Sequence, residues 1–332
     1  SERMGPLKYA EDDDQPFLLY LAYQAPHSPL QAWPEDIAKY RGRYSEGYQP
    51  VRQARYDRMV AMGLIDPAVF PLSNPDYKDW ESLTEEEKDE QDLRMAVYAA
   101  MIDSVDQNVG HLLDYLEDQG ELQNTVIFFM SDNGCDPAGF HNDDGEIGTE
   151  PRYAIIQKHW SNVSNTPFRG HKASPWFGGI CTPLIVWNPG RVEAGLISDA
   201  ETHFIDIMPT ILELTGAAYP HTRDGEPVRP YEGVSLVPLF AEGGEIDRGK
   251  PLFFQWKEGY AMIEDGWKAT APRGWDSYPG LYHIAQDRTE TDNLANDEPA
   301  KLSSMIAQWQ EWYQTATARP FEHLGGTTVI VK

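Results

Sequence analysis

The stretch Tyr98–Gly134, YAAMIDSVDQNVGHLLDYLEDQGELQNTVIFFMSDNG, carries the signals that decide the fold. Its first part has apolar residues at steps of three and four, which predicts an amphipathic helix that ends near Gly120. A short apolar run, Thr125–Met130, follows and is typical of a buried strand. Helix, short link and strand in this order indicate an α/β sheet. The helical positions are Tyr98, Met101, Ile102, Val105, Val109, Leu112, Leu113 and Leu116.

The rest of the chain fits the same class of fold. Phe17–Tyr23 and Thr182–Trp187 are short apolar runs that predict further buried strands, and Phe204–Leu214 has helical spacing. We therefore predict an α/β fold, a mixed sheet flanked by helices, in residues 1–232. A small α+β domain is expected in residues 233–332.

Local signals refine this outline. Asp36–Leu64 has helical spacing, and both Ser82–Glu85 and Thr84–Glu87 fit a capping box at a helix start. In the second domain, a closing helix is predicted around Leu302–Trp312. The strand-like pieces that precede it are Leu252–Trp256, Tyr260–Ile263 and Leu281–Ile284.

Composition limits the classes of partner. The 332 residues include 53 acidic and 27 basic side chains, for a formal charge of -26, which argues against binding to a nucleic-acid backbone. Two cysteines do not make a disulfide framework. The apolar runs are too short for a transmembrane segment. Because Ser1–Asp14 is polar, with neither an initiator methionine nor an apolar signal segment, we expect a processed product or part of a longer chain.

Asp132, Asn133 and Gly134 follow the predicted strand directly, and two interpretations are open. Asn-Gly is the commonest pair in a hairpin turn. No second strand resumes after Gly134, however, and carboxylate and amide oxygens are the ligands that calcium or magnesium prefers. The nearby acids are interpreted as a solvated acidic loop; they are Asp136, Asp143, Asp144 and Glu146.

Two other loops carry candidate site residues. His27 lies between Pro26 and Pro29 at the end of a predicted strand, where a rigidly held imidazole suits proton transfer, anion binding or the capping of a loop carbonyl. Lys172 ends the basic stretch Phe168–Lys172, which is either a solvated surface or an anion-binding site. Cys135 and Cys181 are interpreted as inert thiols, and a zinc site at Cys135 would lack a second pair of ligands.

Taken together, these segments resemble the sulfatase family, and specifically its bacterial arylsulfatase branch. The resemblance covers almost the whole chain and implies an alkaline-phosphatase-like α/β sheet with a small C-terminal domain. The motifs occur in the family's order. Besides Tyr98–Gly134 they are PFLLYLAYQAPHSPLQ, DIAKYRGRYSEGYQPVRQARYDRMVAMGLI, TPFRGHK, CTPLIVWNPG, FIDIMPTILELTGAAYP, EGVSLVPLF and LYHIAQDRTETDNLA.

The resemblance implies hydrolysis of small-molecule or carbohydrate sulfate esters, with a formylglycine nucleophile and one calcium ion. Asp132 and Asn133 match the second pair of calcium ligands. His27 matches a histidine that contacts the sulfate or its leaving oxygen, and Lys172 matches the sulfate-binding lysine. The resemblance also implies a periplasmic or secreted location, which is usual for members of this family.

The departures from the family pattern matter equally. The nucleophile's C-x-P-x-R segment and the first pair of calcium ligands precede the A-P-H segment in the family, and this chain contains neither. Cys135 and Cys181 lack the arginine of that motif and follow the A-P-H segment, so we reject both as nucleophiles. Phe177 also replaces an acid that often precedes the paired glycines.

Three functions follow from these departures. In the first, we expect the chain to be the C-terminal two-thirds of a sulfatase, inactive alone, whose amino-terminal segment is separate. Alternatively it is a truncated, non-catalytic relative that acts in binding or assembly. A third alternative is a phosphonate or phosphodiester hydrolase of the same superfamily.

Overall fold

The computed structural model describes residues 16–137 and 139–317. The expectation for Ser1–Asp14 lies outside these residues. The helices are α1 (Pro34–Tyr40), α2 (Tyr48–Ala61), α3 (Glu85–Asp118), α4 (Gln157–Ser164), α5 (Phe177–Ile180), α6 (Ile207–Thr215) and α7 (Pro299–Thr317). The strands are β1 (Ile127–Met130), β2 (Leu184–Trp187), β3 (Thr222–Arg223), β4 (Glu226–Pro227), β5 (Leu252–Trp256), β6 (Gly259–Glu264), β7 (Trp267–Ala271) and β8 (Gly280–His283).

Helix α3 begins and ends where the sequence predicts. The Thr84 side chain accepts a hydrogen bond from the Glu87 backbone N–H, and the Glu87 carboxylate accepts one from the Thr84 N–H, so the capping box is formed. Gly120 follows the helix with φ +75°, a conformation that glycine adopts without steric cost. Buried residues of α3 pack in one core with Trp160 of α4 and Tyr48 of α2. Ala25 and Cys135, from two of the loops that carry candidate site residues, pack against this core.

The predicted strands β1 and β2 are present, but the expectation that they are buried is wrong. They pair antiparallel, with Phe129 opposite Ile185 and Ile127 opposite Trp187. The side chains of Phe129 and Ile185 are 48% and 59% exposed. Within the described residues this sheet has two strands, so one apolar face stays open to solvent.

The buried strand predicted at Phe17–Tyr23 is not formed. Tyr20 is 89% exposed and Leu18 is 76% exposed, and no strand pairs with this segment among the described residues. An apolar run becomes a buried strand only when neighbouring strands supply hydrogen bonds and a covering layer. Here neither is provided by the described part of the chain.

The C-terminal part forms its own sheet and core. Strands β5, β6, β7 and β8 are antiparallel neighbours in that order, and α7 packs on them through Trp309 and Met305, which are fully buried. The predicted strands and closing helix are confirmed, while β7 was not predicted. The boundary between residues 232 and 233 stays a prediction. No described helix has both the length and the apolar character needed to cross a bilayer.

A buried ion pair joins the C-terminal sheet to α5. The ammonium of Lys268 in β7 lies 2.6 Å from the carboxylate of Glu290, and both side chains are fully buried. The other Glu290 oxygen accepts a hydrogen bond of 2.8 Å from the Phe177 backbone N–H. Burial raises the pKa of Glu290 and lowers the pKa of Lys268, and their mutual attraction opposes both shifts.

Helix α5 in turn packs against the loop after β1. The Gly134 N–H donates to the Gly179 carbonyl at 3.1 Å. A Cβ atom added to Gly134 would lie 1.7 Å from the Gly178 carbonyl oxygen, so only glycine fits at this contact. The two backbones therefore touch without intervening side chains.

We predict that Glu290→Gln lowers the free energy of unfolding by about 3 to 5 kcal/mol, because it leaves the Lys268 ammonium buried without a counter-charge. Urea denaturation measures this value. The double variant Lys268→Met, Glu290→Leu is the control and is expected to lose much less, since it removes both charges together. A loss below about 1 kcal/mol for Glu290→Gln would contradict a buried pair.

We predict that Gly134→Ala destabilises the protein by about 1 to 3 kcal/mol, because the added methyl group forces the loop and α5 apart. The matched control is Gly110→Ala, within α3, where an added Cβ has no neighbour within 4 Å. That change is expected to stabilise by about 0.5 to 1 kcal/mol through helix propensity. Equal stability of Gly134→Ala and the parent in urea denaturation would contradict the close approach.

Candidate functional site

The loop after β1 presents Asp132 and Asn133 at the end of the strand, as predicted. The Ser131 hydroxyl donates to the Asn133 carbonyl at 2.9 Å, and the Thr182 hydroxyl donates to the Ser131 carbonyl at 2.8 Å. These bonds and the Gly134 contact fix the loop backbone. The Asp132 side chain is exposed and that of Asn133 is half-buried. Neither has a side-chain hydrogen bond to another of the described residues, so their oxygens are available.

His27 is held by a turn that contains two prolines. The Ala25–Pro26 and Ser28–Pro29 bonds are both cis, and the His27 N–H donates to the Gln24 carbonyl at 2.9 Å. The ring Nδ1 lies 2.9 Å from the Ser28 carbonyl, to which it can only donate. The other nitrogen, Nε2, therefore remains to contact a ligand or another side chain.

Lys172 is positioned by hydrogen bonds of its own backbone. Its N–H donates to the Cys135 carbonyl at 3.1 Å, and the Ser161 hydroxyl donates to the same carbonyl at 2.8 Å. Nδ1 of His171 lies 2.9 Å from the Lys172 carbonyl. Lys172 is thus tied to the loop that follows Gly134. The Lys172 side chain is 30% exposed, so it is partly buried at this position.

Asp136 joins the two predicted site residues. One carboxylate oxygen, Oδ2, lies 3.1 Å from His27 Nε2 and 3.4 Å from Lys172 Nζ. The Asp136 side chain is only 22% exposed, so the expectation that it belongs to a solvated acidic loop is wrong. That expectation is right for Asp143, which is 83% exposed. The structure therefore brings His27 and Lys172 together around one anionic oxygen.

Asp136 is a site residue that the sequence reasoning missed. Its one sequence signal is its position, three residues after Asn133 in the loop that carries the candidate metal ligands. Its two partners come from distant parts of the chain, and no local pattern predicts such a pairing.

The metal-ligand prediction for Asp132 and Asn133 stays a prediction. Their adjacent oxygens suit a hard cation, but about six to eight oxygens complete a calcium shell. In residues 16–137 and 139–317, no group of three or more His, Cys, Asp and Glu side chains is arranged to hold a metal ion. The two residues offer two oxygen donors of the type calcium prefers, which is part of such a shell.

Both cysteines are unreactive in character, as expected. Burial raises the pKa of the Cys135 thiol, which lies 3.6 Å from the Tyr98 hydroxyl. Burial likewise raises the pKa of Cys181, which packs with the cluster around Phe177 and Ile284. A thiol with a raised pKa forms little thiolate near neutral pH, so neither is suited to act as a nucleophile.

Phe177, which stands where an acid was expected, is surrounded by charged groups. Its ring lies 3.8 Å from Lys268 Nζ, and its N–H contacts Glu290. The Arg169 guanidinium donates to the Glu290 carbonyl and lies 4.0 Å from the centre of the Trp176 ring. The Glu290 carboxylate, from the C-terminal part of the chain, thus contacts the backbone just before the paired glycines, where the family often has an acid.

Known proteins are similar to this chain in sequence. The chain is 34% identical over 323 residues to an uncharacterized sulfatase of Schizosaccharomyces pombe, covering 90% of this chain and 58% of that protein. It is 36% identical over 242 residues to an arylsulfatase of Klebsiella aerogenes, covering 68% and 52%. The chain therefore spans about half the length of the curated relatives that it matches.

The crystal structure of Ps i-CgsB shares the fold, with 24% identity, a TM-score of 0.59, and coverage of 92% of this chain and 51% of that one. The α/β, alkaline-phosphatase-like fold class is thereby confirmed. The family model described as Sulfatase matches residues 6–217, well over half of the chain. The chain belongs to the sulfatase family.

Proposed function

We propose that this chain forms part of the active site of a sulfate-ester hydrolase, in which His27 and Lys172 bind the sulfate group of the substrate. The observation that carries the proposal is the convergence of His27 Nε2 and Lys172 Nζ on the same Asp136 oxygen. A sulfate oxygen placed at that point would contact the same two donors. Small-molecule or carbohydrate sulfate esters are the substrate class.

The two side chains suit different parts of the reaction. The Lys172 ammonium stabilises negative charge on the sulfate oxygens as the S–O bond breaks. The His27 ring is oriented by two contacts, because Nδ1 faces the Ser28 carbonyl and Nε2 faces the Asp136 carboxylate. A proton passed from Nε2 to the leaving oxygen would release the alcohol in neutral form.

Asp132 and Asn133 are the residues that would hold a calcium ion beside this site. When bound, calcium supplies positive charge that polarises the sulfate oxygens. The support in this chain is the pair of adjacent oxygen donors without side-chain partners, on the same loop as Asp136. Further aspartate ligands would have to come from another segment.

The nucleophile would also come from another segment, as a formylglycine residue. Supporting this division are the raised pKa values of both thiols and the coverage of only about half of each relative. We propose that the chain works together with an amino-terminal segment and is inactive alone. The resemblance also supports a periplasmic or secreted location, which fractionation of the source cells would test.

We predict that the chain binds 4-nitrophenyl sulfate without hydrolysing it, and that Lys172→Ala weakens this binding about tenfold, the size typical of one charge-assisted contact. Isothermal titration calorimetry measures the affinity, and absorbance of released nitrophenolate measures turnover.

The matched control is Lys158→Ala, because the Lys158 side chain is 51% exposed and pairs with Asp76 outside the site. Equal affinity of Lys172→Ala and the parent would refute the assigned role of Lys172. Appreciable turnover by the chain alone would show that it contains a nucleophile after all. Binding without turnover even after an amino-terminal segment is supplied would favour the non-catalytic relative.

We predict that calcium binds this chain only weakly, with a dissociation constant well above the micromolar range, because two ligands cannot replace a full shell. Asp132→Ala is expected to abolish the binding heat in titration calorimetry. Asp144→Ala, at an exposed acid of the following loop, is the control and should change little. Submicromolar affinity that depends on Asp132 would mean that the loop supplies the remaining ligands, and calcium binding that survives Asp132→Ala would place the ion elsewhere.

A further inference from the structure

We propose a second anion-binding site next to His27, which takes a further sulfate group of a sulfated carbohydrate. It is a cavity of about 190 Å³ whose lining includes Arg94, Arg152 and Tyr153, together with the carboxylates Glu90 and Asp143 that pair with the two arginines. This inference rests on the proposed function, since it concerns the part of the substrate that surrounds the reacting ester.

The cavity contains two guanidinium groups whose hydrogen-bonding capacity is incompletely used. Arg152 is only 13% exposed, and its Nε has no hydrogen-bond partner among the described residues. Its ion pair is with Asp143, whose side chain is 83% exposed. Because water screens such an exposed carboxylate, Asp143 holds Arg152 weakly. An oxoanion that enters the cavity can therefore take its place.

Arg94 supplies the second donor. Its side chain is 4% exposed and is held by the Ile155 carbonyl and the Glu90 carboxylate, yet its Nε also has no partner in the described part of the chain. A buried donor without an acceptor is unfavourable, and an anionic oxygen satisfies it best. Arg94 therefore has a structural role and a buried Nε without an acceptor, whereas the ion pair of Arg152 is with an exposed carboxylate.

The chemistry of the cavity favours a sulfated sugar over a free inorganic ion. The Tyr153 ring lines the cavity and packs edge to face against Phe140, with ring centres 5.4 Å apart. The Phe140 side chain is 72% exposed. The half-buried Tyr153 ring and the exposed Phe140 ring beside it offer apolar surface on which a sugar ring packs. Guanidinium groups also match the several oxygens of a sulfate better than an ammonium does.

Hydrogen bonds connect the cavity wall to the turn that carries His27. The Tyr153 hydroxyl donates to the Ser28 carbonyl at 3.5 Å, and the Leu30 N–H donates to the Ala154 carbonyl at 2.9 Å. Ser28 is the residue after His27. The two proposed anion-binding sites thus lie on neighbouring segments that are joined by hydrogen bonds. A sugar with its ester at His27 and Lys172 can present a second sulfate to Arg152.

The first test observes the two arginines directly. In a ¹⁵N-labelled protein, the Nε–H signals of Arg94 and Arg152 are followed during titration with sodium sulfate, with sodium chloride at matched ionic strength as the control. Arg94→Lys and Arg152→Lys assign the signals. We expect a saturable shift of both signals with sulfate alone. Signals that do not move, or that move equally with chloride, would overturn the inference.

The second test measures preference for a second sulfate. We expect the parent to bind galactose 4,6-disulfate about tenfold more tightly than galactose 6-sulfate, and Arg152→Gln to lose this preference. Arg223→Gln, at a side chain that is 86% exposed, is the control and should retain it. An unchanged preference in Arg152→Gln would overturn the inference. If Arg152→Gln does not fold, the Nε–H titration of the parent decides.

The two proposals fail in different ways. Lys172→Ala should weaken binding of galactose 6-sulfate but leave the sulfate-dependent shift of the Arg152 signal in place. If Lys172→Ala has no effect while the Arg152 shift persists, the proposed function fails and the cavity still binds anions. If Lys172→Ala acts as expected and Arg152 is unresponsive, the second site alone is wrong.

Discussion

The buried carboxylate of Glu290 is the contact on which the geometry of the site depends. It neutralises Lys268 in the C-terminal sheet and accepts the Phe177 N–H at the start of α5. The same short helix receives the Gly134 N–H through Gly179. One carboxylate from the C-terminal part thus fixes the helix against which the loop of Asp132 and Asn133 rests. Because a buried pair tolerates little displacement, the C-terminal part functions as a support for the site.

The protein has a formal charge of -26, which by itself opposes the binding of an anionic substrate. The cationic side chains of the two proposed anion sites already contact carboxylates, so an incoming sulfate must compete with resident anions. Asp136 contacts two cations and is mostly buried, whereas Asp143 contacts Arg152 and is exposed. Displacing Asp143 from Arg152 should therefore cost little free energy. Displacing Asp136 should cost more, so an anion that replaces it has to contact both His27 and Lys172.

Features that depend on neighbouring residues could be predicted from the sequence. The capping box at Thr84, the glycine stop after α3 and the closing helix were all predicted, since each signal lies within a few residues. Asp132 and Asn133 were placed correctly at a strand end for the same reason. The pairings of Asp136 with Lys172 and of Glu290 with Phe177 join distant segments, and no periodicity encodes them. The burial of β1 was overestimated because an apolar run indicates that a strand can be buried, but it does not show whether other elements pack on it.

That uncovered face bears directly on the candidate metal site. Phe129 and Ile185 lie opposite each other on one face of the β1–β2 pair, and both are largely exposed. Asp132 follows two residues after the end of β1, so anything that packs on this face or pairs with this strand lies close to the loop of Asp132 and Asn133. If the proposed amino-terminal segment packs there, it would cover the apolar face and add oxygen ligands in the same binding step. The hydrophobic effect would provide most of the binding energy, and the metal ion would bind strongly only in the assembled state.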